Sequence, residues 1–139
     1  MLLVSQLYDF TSSSYLPPTY FKNYSEFIRA LIDDLRNDKF SLKAFPNDFA
    51  FLFQYKYDES TGLFDYCDKA VAIRLVDLLS LIYVDVEKNI FRSTQSIVDS
   101  LFSSTYTFSA VDNGVPLYLL PKGDGSITTA TLVNCLLCS

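Results

Sequence analysis

Phe49, Phe51, Phe53, Tyr55 and Tyr57 fall at every second position of one run, which is the period of a strand and not of a helix. Ala50 and Leu52 make the first half of the run apolar on both faces, whereas Gln54 and Lys56 make the second half one-sided. The pattern predicts a strand that starts inside a sheet and ends at its rim. Residues 58–62, Asp-Glu-Ser-Thr-Gly, carry turn chemistry: Asp and Ser bond their own backbone, and Gly62 accepts a positive φ that other residues resist. A hairpin closing on a glycine bulge and returning through Leu63-Phe64-Asp65-Tyr66 is the expected product.

The clearest helix lies upstream. Tyr24, Phe27, Ile28, Leu31, Ile32 and Leu35 form a continuous apolar stripe at i, i+3, i+4, i+7, i+8 and i+11. Asn23 is a good N-cap, and Glu26 completes a box-like arrangement for the free backbone N–H groups. On the wet side, Arg29 is spaced to meet Asp33, and Asp33 to meet Arg36. Asn37-Asp38 closes the helix, and Phe40 and Phe45 read as loop anchors.

Residues 2–10 read as a first strand, and Pro17-Pro18 precede a short extended piece, Thr19-Tyr20-Phe21, suited to a sheet edge. After the hairpin, two readings are open. Asp68 caps a helix on which Val71, Leu75, Leu78, Leu79 and Ile82 line up, or residues 71–76 are extended; the length of the apolar stretch favours the helix. Residues 87–102 look helical, and residues 106–111 and 115–120 look like strands around Asp112-Asn113-Gly114. Residues 121–125 form a turn, and residues 127–137 form an apolar, β-branched tail of either type. The predicted fold class is α+β: an antiparallel sheet with a β-β-α-β-β core over residues 1–80, packed by one amphipathic helix. A mixed extension over residues 81–139 is expected to pack on the same domain.

Composition narrows the chemistry. The chain has 139 residues, enough for one core, with 12 Phe, 10 Tyr and no Trp. The absence of His excludes Ser-His-Asp and Cys-His catalysis and His-ligated metal sites. Net charge is −5, so nucleic-acid contact requires a local basic patch on an acidic body. Cys67, Cys135 and Cys138 are an odd count, which argues against a secreted disulfide framework and reads as ordinary thiols. The N-terminus lacks the basic start and long apolar run of a signal peptide, and the apolar stretch 70–84 is too short for a membrane span. A soluble, intracellular protein without cofactor or metal is expected.

The order of motifs is also informative. Tyr8-Asp9 lies in the first strand, then come Pro17-Pro18, Lys22-Asn23 opening a helix, Pro46-Asn47-Asp48-Phe49, the aromatic strand, and Tyr57-Asp58 ahead of Thr61-Gly62. Over residues 2–80 this resembles the small non-structural protein encoded by the fifth reading frame of gokushoviruses, single-stranded DNA phages of the Microviridae. Tyr55-Lys56 stands where that family often has Gly, and the chain continues some sixty residues beyond the usual end. The resemblance implies a phage protein made in the host bacterial cytoplasm and absent from the mature virion. It further implies association with viral single-stranded DNA synthesis or packaging, and brings no catalytic residues.

Three functional readings follow. In the first, Tyr55, Lys56 and Tyr57 contact single-stranded DNA by stacking, with Arg29, Arg36, Lys39 and Lys43 as a basic strip for the phosphates. The plainer account of the same residues has Tyr55 and Tyr57 covering the helix and Lys56 as a solvated edge charge. In the second, the chain is an interaction module that self-associates or binds a phage replication or capsid-assembly protein through strand addition, with residues 127–137 available unless they complete the core. The third, an enzyme, is disfavoured: Asp33-Asp34 and Asp58-Glu59 sit at solvated positions, and Asp112-Asn113-Gly114 and Gly123-Asp124-Gly125 match neither a calcium loop nor a phosphate loop.

Overall fold

The computed structural model describes residues 1–104, 106–112, 115–119 and 126–128, with side chains for residues 1–67 and 71–101. In order, the elements are β1 (Leu2–Asp9), β2 (Ser14–Tyr15), β3 (Thr19–Phe21), α1 (Tyr24–Arg36), a 3-10 turn (Ser41–Ala44), β4 (Phe49–Tyr57) and β5 (Phe64–Arg74). There follow α2 (Leu75–Ile82), β6 (Tyr83–Asp85), β7 (Ile90–Phe91), α3 (Thr94–Ser104), β8 (Tyr106–Asp112), β9 (Val115–Leu119) and β10 (Ser126–Thr128). The fold is α+β. The main sheet runs β10-β9-β8-β5-β4-β1-β2 with every described pair antiparallel, and β3 joins β1 beside β2.

The aromatic strand and the amphipathic helix make the core, as their periodicities predict. Phe49, Phe51 and Phe53 are buried beneath the α1 stripe of Phe27, Ile28, Leu31, Ile32 and Leu35. The Phe27 ring meets Phe51 and Phe53 edge-on at 5.1 and 5.0 Å between centroids, and Tyr24 meets Phe53 at 5.0 Å. Burial of one such side chain contributes about 1.5–3 kcal/mol, before the gain from edge-to-face geometry. Leu75, Leu78 and Ile82 of α2, with Ile97 and Leu101 of α3, join the same core, so all three helices pack on one face of the sheet.

Local chemistry sets the boundaries. Asn23 Oδ1 accepts from the Glu26 N–H at 2.9 Å and starts α1; Asn37 is its C-cap, and Asp38 turns the chain at φ 54°. In the hairpin, Asp58 Oδ1 accepts from the Ser60 N–H, the Gly62 N–H donates to the Asp58 carbonyl at 2.8 Å, and Gly62 sits at φ 73°. Pro17 and Pro18 lie between β2 and β3, at the sheet edge.

Four expectations change. Residues 71–74 are strand and the helix starts at Leu75, so Asp68 lies inside β5 and Arg74 stands at the N-cap position of α2; pairing of Val71, Ala72 and Ile73 with β4 takes these residues first. Residues 87–93 are not helical. The left-handed Asn89, at φ 56°, turns β6 into β7, Tyr83 stacks on Phe91, and Ser93 Oγ accepts from the Ser96 N–H to start α3. Phe40 packs against the core, but Phe45 is exposed and anchors nothing. On α1, neither Arg29–Asp33 nor Asp33–Arg36 forms an ion pair among the described residues; Asp33 Oδ1 instead accepts from Asn37 Nδ2 at 3.2 Å. Residues 106–112 and 115–119 pair as the predicted strands. The turn residues Asn113 and Gly114, the Gly123-Asp124-Gly125 segment, Cys135, Cys138 and residues 129–137 of the tail lie outside the described residues.

Two substitutions separate packing from backbone strain. Phe53→Ala opens a cavity under α1 and is expected to cost about 3–5 kcal/mol. No atom lies within 4 Å of a Cβ added at Gly62, so Gly62→Ala is expected to cost ~1 kcal/mol through its φ alone. Urea unfolding measures both, and a Gly62→Ala loss equal to that of Phe53→Ala would contradict this division.

Candidate nucleic-acid interface

The aromatic run does not keep one face. From Gln6↔Leu52 to Asp9↔Phe49 the β1–β4 register is regular, but Leu3 pairs with Lys56, so β4 holds one extra residue near positions 53–55. Such a bulge re-aims the side chains beyond it. Phe53 meets Tyr24 and Phe27 on the helix side, whereas the next ring, Tyr55, packs on Tyr66 at 5.0 Å. Tyr57 packs on Phe64 at 5.0 Å and on Tyr20 at 5.5 Å. Tyr20 is the register partner of Val4, whose neighbour Leu3 faces the helices, so this cluster lies on the opposite face. Opposite the bulge, β5 also breaks register between Tyr66 and Val71.

The result is a tyrosine-rich surface. Tyr15, Tyr20, Phe64 and Tyr66 are 41–53% exposed, with Tyr55 and Tyr57 half-buried among them. Deeper on this face, Gln54 is buried, its Nε2 donating to Gln6 Oε1 at 3.4 Å, and Tyr8 packs edge-on against Phe10 and Tyr15. Burial pushes the Tyr15 and Tyr55 hydroxyls above the usual tyrosine range, with neighbouring Tyr8 and Tyr66 respectively adding to the shift. Tyr24, on the helix side, is pushed up further, first by burial and then by Cys67.

The seven residues singled out from the sequence do not form one site. Tyr55 and Tyr57 share the open sheet face and do not cover the helix. Lys56 points back to the helix side, in a recess with Lys22, Asn23 and Tyr24. Arg29 and Arg36 are exposed on α1, on the far side of the sheet from the tyrosines. Lys43 is tied to Asp38 Oδ1 at 2.6 Å, which holds the Asp38 carboxyl below its usual range, and Lys39 is exposed beside that pair. The sequence reading missed Tyr15, Tyr20, Phe64 and Tyr66. Phe64 and Tyr66 were within reach, because a hairpin turning at residues 58–62 places them opposite Tyr57 and Tyr55. Tyr15 and Tyr20 depend on two very short strands with no periodic signal.

Helices on one face and exposed rings on the other define a small α+β protein that presents a surface, with no membrane-crossing helix among its described residues. Residues 2–81, more than half of the chain, match the family described as phage ORF5 protein, and the chain belongs to that family. No curated protein and no solved structure matches it.

The tyrosine shifts fix the sign of an alkaline transition. Their folded pKa values lie above the ordinary 10.0, so the unfolded chain ionises first and stability falls as pH rises beyond 10. Tyr24→Phe is expected to remove the largest part of that loss. Unfolding followed between pH 9 and about 12, with tyrosinate absorbance at each step, checks this; an unchanged alkaline slope in Tyr24→Phe would refute it.

Proposed function

We propose that this phage ORF5 protein is a non-catalytic accessory factor of a single-stranded DNA phage of the Microviridae, the group that includes gokushoviruses. It assists genome synthesis or packaging in the host cytoplasm and is left out of the mature virion. It acts by contacting single-stranded DNA. One observation carries the reading: exposed Tyr15, Tyr20, Phe64 and Tyr66 surround Tyr55 and Tyr57 on the sheet face opposite the described helices. Bases of any sequence stack on such rings at ~1–3 kcal/mol per base. Lys22 and Lys56 share a recess on the helix side of the Tyr20–Tyr57 end, and reach phosphates from round that rim.

A second reading has its own observation. Arg29, Arg36, Lys39 and Lys43 belong to the opposite layer, while Asp58 and Glu59 stand in the turn next to the rings. An aromatic patch with acidic neighbours also suits a protein partner, whether a second copy or a replication or capsid-assembly protein.

Titration of a fluorescent oligonucleotide across salt concentrations separates the two. DNA contact predicts affinity that falls steeply with salt and drops at least tenfold in the Tyr55→Ala/Tyr66→Ala double variant. Absence of binding at low salt, together with a mass that rises with concentration, would sink DNA contact and favour the protein partner.

A further inference from the structure

Arg29, Arg36 and Arg92 line one cleft of about 540 Å³ between α1 and the β7–α3 connection. All three are exposed, and none makes an ion pair among the described residues, although the chain carries an excess of carboxylates. Asp33 is the carboxylate among the described lining residues, and its Oδ1 already accepts from Asn37 Nδ2. Arg36 is held with its guanidinium 5.4 Å from the centre of the Phe91 ring, which fixes one donor fork in place. Three unpaired guanidiniums around one space repel each other until an anion enters, and their planar donor forks match phosphate oxygens.

A larger cleft of about 920 Å³ adjoins it, with Arg36 and Asn89 lining both. Leu35, Val76, Leu79 and Tyr83 give it apolar walls, and its charged groups besides Arg36 are Lys43, Asp38 and Glu87, of which Lys43 and Asp38 neutralise each other. We propose that the paired clefts bind a nucleotide, with its phosphate among Arg29, Arg36 and Arg92 and its base in the apolar cleft beyond Arg36. This site is separate from the tyrosine face and stands whether or not that face takes DNA.

Calorimetric titration with inorganic phosphate and with dAMP tests it at low salt. The wild-type protein binds both, dAMP more tightly. Arg92→Ala and Arg29→Ala, two exposed positions whose folding is checked by circular dichroism, each weaken dAMP at least tenfold. Lys39→Ala leaves dAMP binding unchanged, and inorganic phosphate, which has no base to stack on the sheet-face rings, keeps this site distinguishable from the sheet-face reading. Failure of both ligands to bind, or wild-type affinity in both arginine variants, overturns the phosphate site; dAMP no tighter than phosphate overturns the base cleft. Competition distinguishes the source of the phosphate. Displacement of dAMP by a 5′-phosphorylated oligonucleotide and not by its unphosphorylated twin supports a strand end, equal displacement by both supports backbone phosphates, and displacement by neither supports free nucleotides.

Discussion

On one strand, Phe53 faces the helices and Tyr55, two residues later, faces away from them. The extra residue that β4 inserts against β1 makes this possible, and the two-faced character of the molecule depends on it. Without the bulge, strict alternation would send Tyr55 and Tyr57 toward the helix layer, where hydroxyls meet an apolar core. With it, Phe49, Phe51 and Phe53 build the interior, and the tyrosines meet Tyr20, Phe64 and Tyr66 at the surface.

Much of the fold was legible because local chemistry and tertiary packing agree. Asn23 begins α1, the six-membered apolar stripe dictates which face is buried, and Asp58 with Gly62 closes the hairpin. Where packing competes with local pattern, the reading failed. Val71 lines up with Leu75, Leu78, Leu79 and Ile82 on a helix face, but β4 offers Val71 and Ile73 a pairing partner, so the extended alternative holds through Arg74 and the helix waits until Leu75. Residues 87–93 carry helical spacing, yet Asn89 and the Tyr83–Phe91 stack make a hairpin of them. The bulge itself has no signature in residue type, so the split of the aromatic run was invisible in the sequence, as was the separation of Tyr55 and Tyr57 from the cations of α1.

The fold also reorganises the charges. Residues grouped by nearness in the chain, the α1 arginines with the following lysines, are sorted by the fold into an arginine cleft and a lysine tied to Asp38. Arg92, which joins Arg29 and Arg36, lies more than fifty residues away in the chain from either. It is also outside the span that matches the phage ORF5 family, whereas its two companions are inside it. The cleft is thus assembled across the boundary between family-matched sequence and the rest of the chain.

The outer side of β1 carries a further consequence. Two short strands cap it end to end, β3 opposite Leu3 to Ser5 and β2 opposite Tyr8 and Asp9, with the Leu16 N–H reaching the Leu7 carbonyl between them. Its amides and carbonyls are largely occupied from within the chain, and the two prolines beside Leu16 have no N–H to offer an incoming ribbon. Backbone pairing to β1 itself is therefore closed along this flank, and the edge left on that side is the two- and three-residue strands β2 and β3, broken between them by the prolines.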